Sequence, residues 1–485
     1  MDIWVLLAPE AVLTAGALAI LILGLIWRNE KAYRPLTGLG IAVTLGALAL
    51  SLALSGKTAV LPQGMWAADP FTHFFRVLGT GCAALVLIMS LGRERLGNEF
   101  PALLLFATLG ILLTAGGANL VTIYVGIELL SIASYILAGL LREEPRSNEA
   151  AIKYFIYGAV ASAVMLYGLS LLLGLTGAAD LAGIKAGLAG PGVAQMRLVA
   201  LPAVVLMMVG FGFKVAAVPF HQWSPDVYEG APTPVTAFLS AGPKAAGFAA
   251  MARVFLVALG GFRSDWTVLV AALAVATMTV GNLVALSQTH MKRLLAYSSI
   301  AQAGYMLIGL AAMGGHEAAP SLLGDGVAAL LVYLVAYLLT NLGAFAAVLA
   351  VEDATGSDAI EEYRGLVKRA PWLAGALVFY FLSLVGIPPL ACFLGKLFIF
   401  GAAVRAELYW LAAIGVVNSV VSLAYYFNVV RLMFFEPAAE AKPSLPVARN
   451  LAVALAVTWV GTLGLVILAT PVIAWASHSV QMLLP

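Results

Sequence analysis

What the chain lacks most is charge. Only 10% of its 485 residues are Asp, Glu, Lys or Arg. A soluble domain carries about 25%, and a water-facing surface cannot be covered with so little. Lipid must therefore be the solvent around most of the chain. Net charge is only +2, so no basic face for nucleic acid is implied. Cysteine is nearly absent. Cys82 and Cys392 both lie in apolar runs and form no metal spacing, redox spacing or disulfide framework. They read as small buried hydrophobes. There is no Walker loop, no G-x-G-x-x-G after a strand, no H-E-x-x-H and no C-x-x-C. No apparatus for nucleotides, flavin, iron–sulfur clusters or metal is recognisable. The chain is expected to bind no cofactor of its own.

What is present is apolar length. Hydrophobic residues make up 62% of the chain. A helical span needs about 20 of them in a row. About 14 stretches qualify, roughly 4–27, 35–55, 70–91, 99–118, 119–141, 151–176, 198–222, 234–259, 265–286, 291–313, 322–350, 372–402, 407–434 and 447–476. The expectation is an all-α, polytopic membrane protein. The first run is as long as a full span, and its positive charges follow it rather than precede it. It reads as a retained helix and not a cleaved signal.

Lysine and arginine are unevenly shared between the two sides. Odd-numbered connections hold sixteen and even-numbered ones seven. The odd side is therefore expected to be cytoplasmic, with both termini outside. Three lysines belong to neither side: Lys214, Lys244 and Lys396 all lie inside apolar runs, and Glu128 in "TIYVGIELLSIASYIL" is equally deep.

A charge at the bilayer centre costs about 2.5–3.5 kcal/mol on insertion scales. Such residues must face the bundle interior, find partners or reach water. The bland alternative is that each lysine snorkels to the nearest interface. Lys396, near the end of its run, is most open to that reading. Lys244 and Glu128 lie near mid-span, where snorkelling is hard. The functional alternative is a proton relay. Desolvation disfavours the charged form of a lysine and a nearby carboxylate restores it. A Lys–Glu pair that forms and breaks can thus move a proton. Glu128 with Lys214 is the natural pair, Lys244 the middle station and Lys396 the far one. Ser298, Ser299, Gln302, Tyr305, Tyr333, Tyr337 and Asn341 are candidates to link them. Each of these also reads as an ordinary helix–helix packing residue. His221 is a candidate proton carrier near the cytoplasmic mouth or a capping loop histidine. Asp226 and Glu229 read as an acidic funnel or as solvated charges. The run "EDATGSDAIEEYRG" reads as a solvated loop or a contact surface for another subunit.

Prolines mark the same segments. Pro219 and "HQWSPDVYEGAPTPV" follow Lys214, Pro243 directly precedes Lys244, and Pro388 and Pro389 precede Lys396. Proline frees a backbone carbonyl. Within lipid, irregular backbone survives only against protein or a water-filled cavity, and broken helices near midplane charge typify transport sites. "VLMMVGFGFKVAAVP" and "SLVGIPPLACFLGKLFIF" each join a glycine-containing break to a lysine, five spans apart. A repeat of five spans must be inverted. The expected organisation is an N-terminal three-helix segment over 1–98, inverted units over 99–259 and 260–434, and a cytoplasmic loop with a C-terminal helix over 435–485.

At these residues a family resemblance enters. "VPFHQWSPDVYEGAPTPVTAFLSAGPKAAGFAAMARV" resembles the signature of the subunit N family of bacterial NADH–quinone oxidoreductase, respiratory complex I. "NEAAIKYFIYGAVASAVMLYG", "QTHMKRLLAYSSIAQAGYMLIG" and "LSLVGIPPLACFLGKLFIF" are similar to it too. The wider group is the antiporter-like subunits, shared with cation/proton antiporters. The M and L members differ around the "PFH" stretch, and L carries a long lateral helix absent here. The resemblance implies two inverted five-helix units with broken seventh and twelfth helices. It implies relay roles for Glu128, Lys214, Lys244 and Lys396. Histidines that bridge the middle stations in some relatives have no clear match. It places NADH, flavin, iron–sulfur clusters and the quinone in partner subunits. It implies M, K and neighbouring membrane subunits as partners and the bacterial inner membrane as location. A cation/proton antiporter subunit and a passive structural subunit are the competing readings.

Overall fold

The computed structural model describes residues 3–27, 29–189, 193–314, 320–437, 444–481 and 483. Arg28 and Lys442, both counted in the charge bias, lie outside the described residues. The structure is all helical apart from a two-stranded ribbon, β1 (Ala59–Val60) with β2 (Ala67–Ala68).

Three helices open the chain: α1 (Ala8–Ile26), α2 (Tyr33–Ala53) and α3 (Pro70–Ser90). There follow α4 (Phe100–Gly116), α5 (Leu120–Ala138), α6 (Pro145–Thr176), α7 (Val193–Val215), α8 (Trp223–Gly230) and α9 (Thr233–Arg253). The later set is α10 (Arg263–Ala285), α11 (Met291–Ala311), α12 (Pro320–Thr355), α13 (Pro371–Val385), α14 (Ala391–Arg405) and α15 (Tyr409–Phe435), closed by α16 (Arg449–Ile467) and α17 (Ala469–Gln481). Among the described residues, eleven helices are long and apolar enough to span a bilayer, and α4 and α13 are shorter apolar helices. The helix α9 has the length but not the apolarity. Its alanines, glycines and hydroxyls are all buried in protein, so it needs no lipid-compatible surface.

Two runs of six helices, α4 to α9 and α10 to α15, share local devices. Each opens on a hairpin packed through glycine. A Cβ on Gly110 would come within 2.6 Å of Leu130 N, and one on Gly281 within 2.6 Å of Ala301 N. In each, the chain leaving the third helix bonds back beside the start of the second. Leu120 N donates to Ala179 O and Leu181 N to Ala118 O; Met291 N donates to Asp358 O and Ile360 N to Thr289 O. Each then carries one broken helix.

Both breaks have legible causes. The first comes where Ala216 turns left-handed at φ 58, followed by a cis Val218–Pro219 bond. The helical run expected to reach residue 222 stops at Val215. The second comes at Gly386, at φ 93, followed by a cis Pro388–Pro389 bond. The run expected over 372–402 is thus two helices, α13 and α14. The last expected span also divides, at Leu468.

A third proline-marked segment stays unbroken. Pro243 lies inside a continuous α9. The carbonyl it leaves without an amide, that of Leu239, accepts from the Tyr228 hydroxyl at 3.3 Å. A side chain from α8 thus keeps the helix intact.

Candidate functional site: buried lysines beside helix breaks

All three interior lysines are buried: Lys214 is 3% exposed, Lys244 1% and Lys396 3%. None snorkels to an interface. Their surroundings differ.

Lys214 occupies the last turn of α7, where unpaired carbonyls give the helix end a negative pole. Glu128 of α5 lines the same narrow cleft, with Ser131, Tyr135, Ser162 and Phe213. The two do not form a direct ion pair. The Glu128 carboxylate accepts from the Ser162 hydroxyl. Lys214 Nζ has no hydrogen-bond partner among the described residues. It lies 5.1 Å from the Phe213 ring centre and 5.8 Å from that of Tyr135. These aromatic faces give weak, non-directional cation stabilisation.

Lys244, in the middle of α9, donates to Ser299 O at 2.5 Å and Ser299 Oγ at 2.6 Å. Ser299 Oγ also pairs with the Tyr337 hydroxyl at 2.6 Å. Three helices, α9, α11 and α12, thus meet at one hydroxyl.

Lys396 stands one turn beyond the second break. Its Nζ donates to Leu384 O at 3.1 Å and Val385 O at 2.8 Å. These are terminal carbonyls of α13, which have no amide to accept from. The Tyr305 ring lies 4.3 Å beneath the ammonium. Gln302 Nε2 donates to the same Leu384 carbonyl at 2.9 Å, and its Oε1 accepts from Tyr333. Lys396, Gln302 and Tyr333 are therefore continuous. Gly386 makes room for this: a Cβ there would lie 3.0 Å from Lys396 Cδ.

Of the candidate linking residues, Ser299 and Tyr337 join Lys244, and Gln302, Tyr305 and Tyr333 join Lys396. Ser298 pairs instead with Tyr426. His221 lies half-buried in the first break, with Nδ1 unpartnered. Asn341 donates to Ser240 at 2.6 Å, one turn before Lys244. Asp226 and Glu229 are held by cations rather than open. Asp226 accepts from Lys153 at 2.7 Å and Arg293 at 2.7 Å, and Glu229 from Arg293 at 3.0 Å.

Two buried ion pairs escaped the sequence reading. Arg76 reaches both carboxylate oxygens of Glu10, at 2.8 and 2.7 Å, and Arg253 those of Asp69, at 2.8 and 3.0 Å. Both arginines are among the seven charges assigned to the even-numbered connections. They lie inside expected spans, and that position was the available signal. The acidic run from Glu352 is likewise not a free loop. Glu352 and Asp353 belong to the end of α12, and Asp353 pairs with Arg93. Among the described residues no group of three or more His, Cys, Asp or Glu could hold a metal ion.

Comparison with known proteins gives this geometry a lineage. Residues 117–422 match the family described as "NADH:quinone oxidoreductase/Mrp antiporter, TM". The chain is 43% identical to NADH-quinone oxidoreductase subunit N 2 of Symbiobacterium thermophilum, covering 99% of this chain and 97% of that one. It is 41% identical to NADH-quinone oxidoreductase subunit N of Anaeromyxobacter sp., covering 98% and 96%. Among solved structures, a chain of respiratory complex I from Thermus thermophilus with bound aureothin superposes with a TM-score of 0.79 at 34% identity, over 97% of this chain and 99% of that one. Full-length similarity to these relatives, together with paired helix breaks that hold buried lysines, places the chain in the subunit N family of NADH–quinone oxidoreductases, within the antiporter-like membrane subunits.

Proposed function

We propose that the chain is a proton-translocating membrane subunit of a proton-pumping NADH–quinone oxidoreductase. Protons are taken up from the cytoplasm, pass Glu128 and Lys214, reach Lys244 and leave near Lys396. The three-helix segment 1–98, the inverted units 99–259 and 260–434, and the C-terminal part 435–485 are its working divisions. The chain itself carries no redox site. NADH, flavin, iron–sulfur clusters and quinone belong to partner subunits, and M and K are its membrane neighbours. The setting is the bacterial inner membrane, with both termini on the outer side.

The observation that supports this best is the burial of three lysines in one bundle, none tied to a fixed counter-ion: Lys214 faces aromatic rings across a cleft from Glu128, and Lys244 and Lys396 meet hydroxyl and carbonyl oxygens. A lysine locked in an ion pair is held charged. These three have no such lock, so a moving charge elsewhere in the complex can change their protonation. To pump, the drive must exceed the opposing field, about 2.3 kcal/mol per charge per 100 mV.

The test is Lys214→Ala in the assembled complex, reconstituted in proteoliposomes. Protons pumped per electron should fall while the complex stays intact. An undiminished ratio would remove Lys214 from the path. Ion exchange without any redox substrate would favour an antiporter subunit.

A further inference from the structure

A cavity of about 940 Å³ opens where the two repeats meet, on the face expected to be cytoplasmic. Five parts of the chain line it: the turn before α4, the α5–α6 turn, the α8–α9 corner, the start of α11 and the end of α12. At its floor, Lys292 and Glu352 face each other, Nζ to Oε1 4.0 Å, with side chains 7% and 30% exposed. Lys292 also donates to Ala231 O at 3.0 Å. Asp358, on the wall, is only 9% exposed, and its Oδ2 has no partner. A buried carboxylate oxygen without a partner calls for a proton or a water.

Polar side chains continue inward from Glu352. The Thr233 hydroxyl donates to Glu352 Oε2, and Thr233 is the first residue of α9. From there Thr236, Ser240 and Lys244 follow at spacings of three, four and four residues, which is one face of a helix. On α12, Glu352, Asn341 and Tyr337 lie at spacings of eleven and four, again one face. The two faces are joined along their length. Thr233 meets Glu352 at the mouth, Asn341 donates to Ser240 midway, and Tyr337 meets Lys244 through Ser299 at the inner end. Asn341 Oδ1 is buried and unpartnered, an acceptor left open between the two ends.

We infer that this cavity is a proton-loading vestibule, with Glu352 as its loading carboxylate, and that the α9–α12 ladder delivers protons directly to Lys244 without passing Lys214. The inference rests on Lys244 being a relay station, as proposed above. Lys292 faces Glu352 at the mouth of the ladder. Thr233, Ser240 and Asn341 supply hydroxyl and amide groups that order transferring water.

The test compares four variants in the assembled, reconstituted complex, reading protons pumped per electron. Glu352→Gln should lower the ratio, though less than Lys244→Ala does because the Lys214 branch remains, and Glu352→Asp should restore part of it. The pair Ser240→Ala with Asn341→Leu, which leaves the mouth intact, should lower it as well. If Lys244→Ala lowers the ratio while Glu352→Gln and the ladder pair leave it whole, the vestibule falls and the relay stands. If Lys244→Ala also leaves it whole, the relay itself falls. Should Glu352→Gln fail to assemble, the ladder pair decides alone: an undiminished ratio there overturns the direct route.

Discussion

The two broken helices use one device to opposite effect. In the first, Lys214 precedes the break and closes α7; in the second, Lys396 follows it and stands in α14. The freed carbonyls of α13 turn towards Lys396 and hold it. Those of α7 do not reach Lys214: the Phe213 carbonyl is taken by Trp223 Nε1 at 3.0 Å. Lys214 is left with aromatic faces and a carboxylate across a cleft. A break therefore does not by itself fix a lysine. Its position relative to the break decides whether backbone or a side chain stabilises the charge. The lysine next to Glu128 is free to change partner, whereas the other is anchored.

The largest effect should follow from removing the one carboxylate that Lys214 has. Glu128 lines the Lys214 cleft without a direct ion pair, and a carboxylate across a cleft favours the charged form of a lysine. Pumping through this chain should therefore fall as far with Glu128→Gln as with Lys214→Ala. Adding Lys214→Ala to Glu128→Gln should cost little more. A double variant whose losses add would show that the two residues act separately, and the comparison would break.

Stability should show the reverse ranking. Lys396→Met strips two buried carbonyls and the Gln302 network of a charged donor. Hydrogen bonds of that kind contribute about 1.5–3 kcal/mol. Lys214→Met removes a cation without hydrogen bonds and should be near neutral, or stabilising. Melting of the detergent-solubilised protein gives both values. Equal shifts would mean that the anchoring seen at Lys396 carries no energy.

The backbone of the two breaks gives a smaller contrast. Gly386→Ala meets a left-handed φ and Lys396 Cδ together, and should cost about 1–2 kcal/mol. At the first break the left-handed position is already alanine. Ala216→Gly should be neutral or stabilising by up to about 1 kcal/mol. A penalty at both sites would mean that the turn conformations are set by packing and not by residue type.

How much of this was legible follows from what sequence can price. Glu128, Lys214, Lys244 and Lys396 stood out because a charge in an apolar run is costly wherever the helix packs. The breaks stood out through glycine and proline. The pairings did not, because they depend on which helix faces which. Ser240 and Asn341 lie 101 residues apart, and nothing local links them. Pro243 carried the same signal as Pro219, yet Tyr228 repairs its carbonyl and the helix continues. Arg76 and Arg253 sit near span ends, where a connection charge and a buried ion pair look alike in one dimension. Only the contact with Glu10 or Asp69 separates them.

The smallest expected effect lies just past the first break, where α8 carries Asp226. Partial burial works against its charge, but hydrogen bonds from Lys153 and Arg293 outweigh that and hold its carboxyl below the ordinary value of 3.8. A depressed folded value means that the unfolded chain binds the proton more readily. The contribution to stability is then complete above the unfolded value and is lost as pH falls through the folded one. Because the cluster is partly exposed, its worth is about 0.2–1 kcal/mol. Asp226→Asn should lower the melting temperature slightly at pH 7 and flatten the loss of stability as pH falls below 3.8. Lys214 and Glu128, on the near side of the same break, should pump as before in that variant. A pumping defect would mean that the clamp on α8 also sets the geometry of the cleft, and that the break is a hinge and not a fixed corner.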